Sequence, residues 1–236
     1  MSRLGELILW SWIFDHLDHI GGQLVQHVVL TVVAVTIGLA ISLPLGVLGY
    51  RHRWVQVPTT VVADLLYTIP SLALFAFLVP ITHLTYLTVE IALVSYTLLI
   101  LVRNVVAGLS SVPEDAKDAA RGMGFSSRQL LWGVELPLAM PAIVAGVRVA
   151  TISTIGLVTI GGWIGKGGLG NLIFDGLQIF FYTPMIVGVV LTVAFAICAD
   201  ALIRWGQRRL TPWSRPRRGA PMRFDPRAAE GAVALR

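Results

Sequence analysis

Apolar residues along this chain come in unbroken runs rather than in the alternation of a strand or the one-sided stripe of a surface helix. Five stretches, roughly 24–49, 56–80, 85–106, 138–161 and 184–203, are long and apolar enough to cross a hydrocarbon core, which takes about 20 residues of helix. A helix meets its backbone hydrogen bonds within itself, as a lipid-exposed segment must. The pattern therefore predicts an all-α, polytopic membrane bundle of about five spans. Ahead of the first span, residues 1–23 mix Trp10, Trp12 and Phe14 with acidic groups and read as an external, interfacial segment, with a short extra span as the alternative. The membrane region is expected over 24–210. The tail 211–236, rich in Arg, Pro and Ala, reads as disordered near anionic headgroups.

Composition agrees with this pattern. Even without glycine, hydrophobic residues make up 56% of the 236, and charged residues only 13%, about half the ~25% usual in a soluble chain. The net charge of +5 raises the question of a nucleic-acid partner, but the distribution of the basic residues argues against one. Fifteen of the 18 Lys and Arg fall in 50–55, 103–137 and 204–236, which places these segments inside and the N-terminus outside by the positive-inside rule. The single cysteine, Cys198, permits no intramolecular disulfide. The N-terminus, with Arg3, Glu6 and Asp15, does not read as a cleavable signal.

The inside loop between the third and fourth spans is unusually organised. Ser111 with Glu114, and Ser126 with Gln129, have capping-box spacing; Pro113 sits in a first turn, and Gly124 where a left-handed cap belongs. Residues 111–137 are thus expected to form helix, glycine turn and helix, ending in a Leu136-Pro137 stop. Its pattern Asp118-Ala119-Ala120-x3-Gly124-x9-Val134-x-Leu136-Pro137 resembles the EAA loop of ABC-importer permeases, Glu-Ala-Ala-x3-Gly-x9-Ile-x-Leu-Pro, with Asp118 for Glu and Val134 for Ile. The resemblance implies a MetI-like permease fold in which Glu114, Asp118, Ala119, Ala120, Gly124, Val134, Leu136 and Pro137 belong to the segment that docks on a cytoplasmic ATPase.

Four further stretches, Tyr67-Thr-Ile-Pro-Ser-Leu-Ala-Leu74, Ala120-Arg-Gly-Met-Gly124, Glu135-Leu-Pro-Leu-Ala-Met-Pro141 and Ile164-Gly-Lys-Gly-Gly-Leu-Gly170, resemble permeases for glycine betaine, choline, carnitine or proline. Tyr67, where that family has Gln, and Lys166, where a small residue is usual, depart from it. By resemblance the partners are two ATPase subunits, a second permease (identical or not), an external solute-binding protein and membrane lipid. No covalent chemistry and no cofactor are expected on this chain, since it lacks a G-x4-G-K-[ST] phosphate loop; ATP and Mg would sit on the partner. Gly165-Lys-Gly-Gly-Leu-Gly170 formally spells a dinucleotide fingerprint, but no strand precedes it and no acid follows about 20 residues on; it reads as a tight outer turn. Asp15-His16-Leu-Asp18-His19 invites a metal reading, yet a polar helix end suffices. Alternatives are a permease of the same superfamily for methionine or a metal oxyanion, and a secondary transporter or scaffold without an ATPase.

Charges inside spans are costly and default to functional candidates. Asp200 and Arg204 have i,i+4 spacing, Glu90 lies near the outer boundary, and Asp64 and Arg148, at similar depth, are expected to pair across the bundle. Pro44, Pro58 and Pro70 predict kinks, with Thr68 and Ser71 capping freed carbonyls. Tyr67, Thr68, Pro70 and Ser71 are thereby candidates for a translocation pathway.

Overall fold

The structure, a computed structural model, describes residues 8–214, which are helical with no strand among them. A short helix α1 (Trp10–Asp15) leads into α2 (Leu17–Arg51), followed by α3 (Arg53–Thr68), α4 (Ser71–Thr82), α5 (Tyr86–Ser110), α6 (Glu114–Gly122) and α7 (Ser127–Leu130). A π-helical turn, Leu131–Glu135, joins α7 to α8 (Leu136–Ile160); a 3₁₀ turn, Gly161–Ile164, then leads to α9 (Leu169–Gln178) and α10 (Tyr182–Leu210). Four segments are long and apolar enough to cross a membrane, and α3 with α4 forms a fifth, broken one. At 35 residues α2 is about 52 Å long, well beyond the ~30 Å hydrocarbon core, so it projects from the bilayer and takes in residues expected of the interfacial segment.

The centre of the bundle is α5, packed against α2 on one side and α8 on the other. Small residues set these approaches: a Cβ added to Gly46 of α2 would lie 2.5 Å from Val105 Cγ1 of α5. That is the close backbone contact by which membrane helices associate without a hydrophobic drive. One apolar cluster joins Leu30, Leu74, Phe75, Leu93 and Val158, and a second, toward the loop of 111–137, joins Val105, Leu109, Val112, Leu136 and Ile143. By contrast α10 buries almost none of its surface and lies at the rim of the bundle.

The second span is broken, where the sequence suggests only a kink. Ile69 and Pro70 are both extended, and the axes of α3 and α4 meet at 97°. Proline lacks an N–H and drives its predecessor out of the helical region, so two extended residues interrupt the helix completely. Thr68 Oγ1 donates to the Asp64 carbonyl at 2.7 Å, and not to the Leu66 carbonyl four residues before Pro70. The role expected of Ser71 falls to another helix: the Tyr96 hydroxyl of α5 donates to the Ile69 carbonyl at 2.5 Å. Pro44 and Pro58, in turn, lie inside continuous helices.

On the opposite end, Gly165 (φ 71°) and Gly168 (φ 56°) turn the chain tightly between α8 and α9. The Gly167 N–H donates to Asn171 Oδ1 at 2.9 Å, and Asn171 Nδ2 to Gln23 Oε1 at 2.9 Å. The glycine-rich stretch is a turn on a helical scaffold with no strand before it, as its context implies. Among the described residues no group of His, Cys, Asp or Glu is placed to hold a metal ion; His16 instead bonds the Trp12 carbonyl through Nδ1 at 2.8 Å.

Candidate coupling loop and translocation cavity

The loop 111–137 is ordered, and its order begins with its helix ends. Ser126 and Gln129 form the expected capping box, Ser126 N–H donating to Gln129 Oε1 at 2.8 Å. The box expected at Ser111 and Glu114 does not form. Ser111 still has helical backbone as the last residue of α5's C-terminal turn, and its hydroxyl donates to the Gly108 carbonyl at 2.8 Å. An N-cap needs extended backbone, and here Pro113 supplies it. Gly124 adopts the left-handed conformation, φ 84°, in open space. Leu136-Pro137 is not a stop. The π turn widens the helix just before it, the Leu136 N–H reaching back to the Leu131 carbonyl, and so seats the proline ring without breaking the span.

On α6, Lys117 and Ala120 turn inward and are buried, while Glu114, Asp118 and Ala119 face outward with Arg121. Arg121 binds Asp118 at 2.7 Å and Glu114 at 2.9 Å. The hydrogen bond from Lys117, aided by Arg121, holds the Glu114 carboxyl below its ordinary pKa. The Tyr50 hydroxyl, first of all, and Glu114 raise that of Lys117. Exposed Met123 and Phe125 flank Gly124 in the chain, and Trp132 adds exposed apolar surface to the same loop. Val134 is half-buried in the π turn and Pro137 half-buried at the start of α8, next to buried Leu136.

Two contacts fasten this loop to the end of α2, and neither was signalled by spacing in the sequence. Lys117 Nζ donates to the Tyr50 hydroxyl at 3.0 Å and lies 5.6 Å from the ring centre. Arg51 Nη2 donates to the Ser127 carbonyl at 2.9 Å and stands 3.9 Å from the buried Glu135 carboxylate. The loop is therefore attached to α2 as well as continuous with α5 and α8.

The four pathway candidates come together. Tyr67, Thr68, Pro70 and Ser71 line a cavity of about 370 Å³ at the break between α3 and α4, with Ile69, Tyr96 and Thr97, and with Ser153 and Thr154 of α8. No charged side chain lines it. The predicted Asp64–Arg148 pair does not exist. Asp64 binds Arg103 of α5 at 2.6 Å, and Arg148 binds Asp200 of α10, which also holds Arg204 at 2.7 Å. Similar depth does not give proximity: α3 lies on the α5 side of the bundle and α10 on the α8 side, so each charge takes the partner on its own neighbour. Glu90 is half-buried in α5.

Residues 38–212 match the binding-protein-dependent transport system inner membrane component family. The chain belongs to that family. Its curated relatives include the osmoprotectant import permease protein OsmW of Salmonella typhimurium, 36% identical over 85% of this chain and 96% of that one. Another is the choline transport system permease protein OpuBB of Bacillus subtilis, 34% identical over 81% and 90%. A third is the carnitine transport permease protein OpuCB of Listeria monocytogenes, 34% identical over 79% and 86%. Among solved structures, an inward-facing MetNI methionine ABC transporter superposes with a TM-score of 0.72 over 86% of this chain and 100% of that one, at 23% identity. An amino-acid ABC transporter gives 0.71 at 15% identity. The fold is thus the MetI-type permease fold, and this multi-pass inner-membrane protein is a transport subunit of an ABC importer rather than an enzyme.

Proposed function

We propose that this permease imports a small osmoprotectant of the kind its relatives are named for, glycine betaine, choline or carnitine, with ATP and Mg bound by a separate ATPase that docks on loop 111–137. The observation that carries the coupling half is the built loop: Ala119 presented outward, Gly124 in left-handed backbone, and both loop helices fastened to α2. A connection serving topology alone needs no such order. The solute passes the break in the second span. Non-helical backbone at membrane depth is tolerated where it lines a water-filled cavity or is buried in protein. Ile69 is 38% exposed, which favours the cavity.

The N-terminus faces outside and the C-terminus the cytoplasm, a reading that the distribution of the basic residues supports. An external solute-binding protein delivers to the outer face, and two permease chains pair around the pathway. Closure of the ATPase pair shifts the loop, and the bundle changes the side to which the cavity opens. Copurified complex should hydrolyse ATP faster when the binding protein is loaded with a transported trimethylammonium solute. Absence of any copurifying ATPase would instead support a secondary transporter.

A further inference from the structure

We infer that the cavity at the helix break recognises a quaternary ammonium group by the ring of Tyr67, held in place by Tyr96. The inference rests on the transport reading and names the chemistry of its pathway. Tyr67 and Tyr96 meet edge to face, with ring centres 5.8 Å apart and planes at 72°. Tyr96 is fixed at its far end by the bond to the Ile69 carbonyl, so it is a rigid stop against which Tyr67 rests. Tyr67 is 50% exposed and keeps ring surface for the cavity.

The remainder of the lining selects by charge and polarity. Thr68, Ser71, Ser153 and Thr154 are hydroxyl residues of the lining, Thr97 turns its hydroxyl toward Gly38 of α2, and no carboxylate or ammonium enters the space. The Thr68 and Thr154 hydroxyls donate to backbone carbonyls of their own helices and so have no proton to offer a solute. The C-terminal end of α3 and the N-terminal end of α4 meet side by side at the break, so their opposite partial charges offset. The aromatic ring of Tyr67 then decides, and it favours a cation. A trimethylammonium group has no N–H to donate, cannot saturate hydroxyl acceptors, and gains instead from an aromatic face within about 6 Å. A fixed carboxylate would hold a cation too firmly for passage; an aromatic contact binds it weakly enough to release. Tyr67 is by this argument a specificity-determining residue of the permease itself, independent of the binding protein.

The test uses the permease–ATPase complex in lipid nanodiscs without binding protein, and ¹H saturation-transfer NMR on the N-methyl line of choline. The neutral isostere 3,3-dimethyl-1-butanol serves as control, and empty nanodiscs as blank. Choline should show about fivefold greater saturation than the isostere, as one half-open cation–aromatic contact supplies. Tyr67→Phe should keep the preference and Tyr67→Leu should abolish it. Equal saturation of the two probes in the wild-type complex, or an undiminished preference in Tyr67→Leu, would overturn the inference. The wild-type comparison decides alone if the leucine variant fails to assemble. Neither result bears on ATPase copurification or uptake, so the importer reading stands or falls separately.

Discussion

At Gly124 a single backbone angle bears on the proposed coupling. Its φ of 84° is open to glycine and costs most other residues about 1–2 kcal/mol, while nothing lies within 4 Å of where a Cβ would be added. A substituent therefore strains the turn without disturbing the bundle. Gly124→Asp should insert and accumulate normally, yet lose ATPase copurification and uptake together; normal uptake would remove the coupling role. Asp118→Ala should weaken docking less, since Asp118 is outward-facing and its contact to Arg121 is replaceable by Glu114, which Arg121 already binds. The capping signals in this loop were partly legible: Ser126–Gln129 formed because Ser126 has extended backbone, whereas Ser111 is claimed by the preceding helix.

Between elements, the contacts that matter join residues far apart in the chain. Arg51 reaches both Ser127 and Glu135, so Arg51→Ala strands a carboxylate that is only 5% exposed. We expect it to lower the yield of folded permease, and Arg51→Ala with Glu135→Gln to recover part of it; no recovery would mean the pair contributes nothing beyond the Ser127 bond. Lysine at 51 should not substitute fully, because one ammonium lacks the planar fork that spans carbonyl and carboxylate. The intramembrane charges rank similarly. Asp200 is 14% exposed and holds two arginines, while Asp64 is 45% exposed and holds one. Asp200→Asn should therefore reduce thermal stability in detergent more than Asp64→Asn, and Arg148→Gln should couple to Asp200→Asn but not to Asp64→Asn in a double-mutant cycle. Coupling between Arg148 and Asp64 would contradict the observed partners.

For the whole molecule, the proposed orientation rests on charge. Both ends of the contacts that fasten the loop to α2, Tyr50-Arg51 on one side and Lys117 and Ser127 on the other, lie in basic segments assigned to the inside. A reporter fused after Arg209 should be cytoplasmic and one inserted near Gly167 external. The opposite labelling would carry the loop away from any ATPase.

Spans, their helical character and the helix–turn–helix form of the loop were determined by the sequence alone, because each is a local property: hydropathy over about 20 residues, cap spacing, a glycine at a turn. That Tyr67, Thr68, Pro70 and Ser71 would lie together was legible for the same reason, since all four fall within five positions around Pro70. Tertiary structure decided what depends on distance between segments. It replaced the Asp64–Arg148 pair by Arg103 and Asp200, because equal depth leaves the angular position of a helix around the bundle unspecified. It turned a predicted kink into a 97° break, since Tyr96 of another helix satisfies the carbonyl that a break frees. It also fastened the loop to α2 through Tyr50 and Arg51, residues whose partners lie 67 and 76 positions away. No periodicity along a chain encodes such a meeting; it arises only when the apolar faces have packed and fixed which polar ends stand side by side.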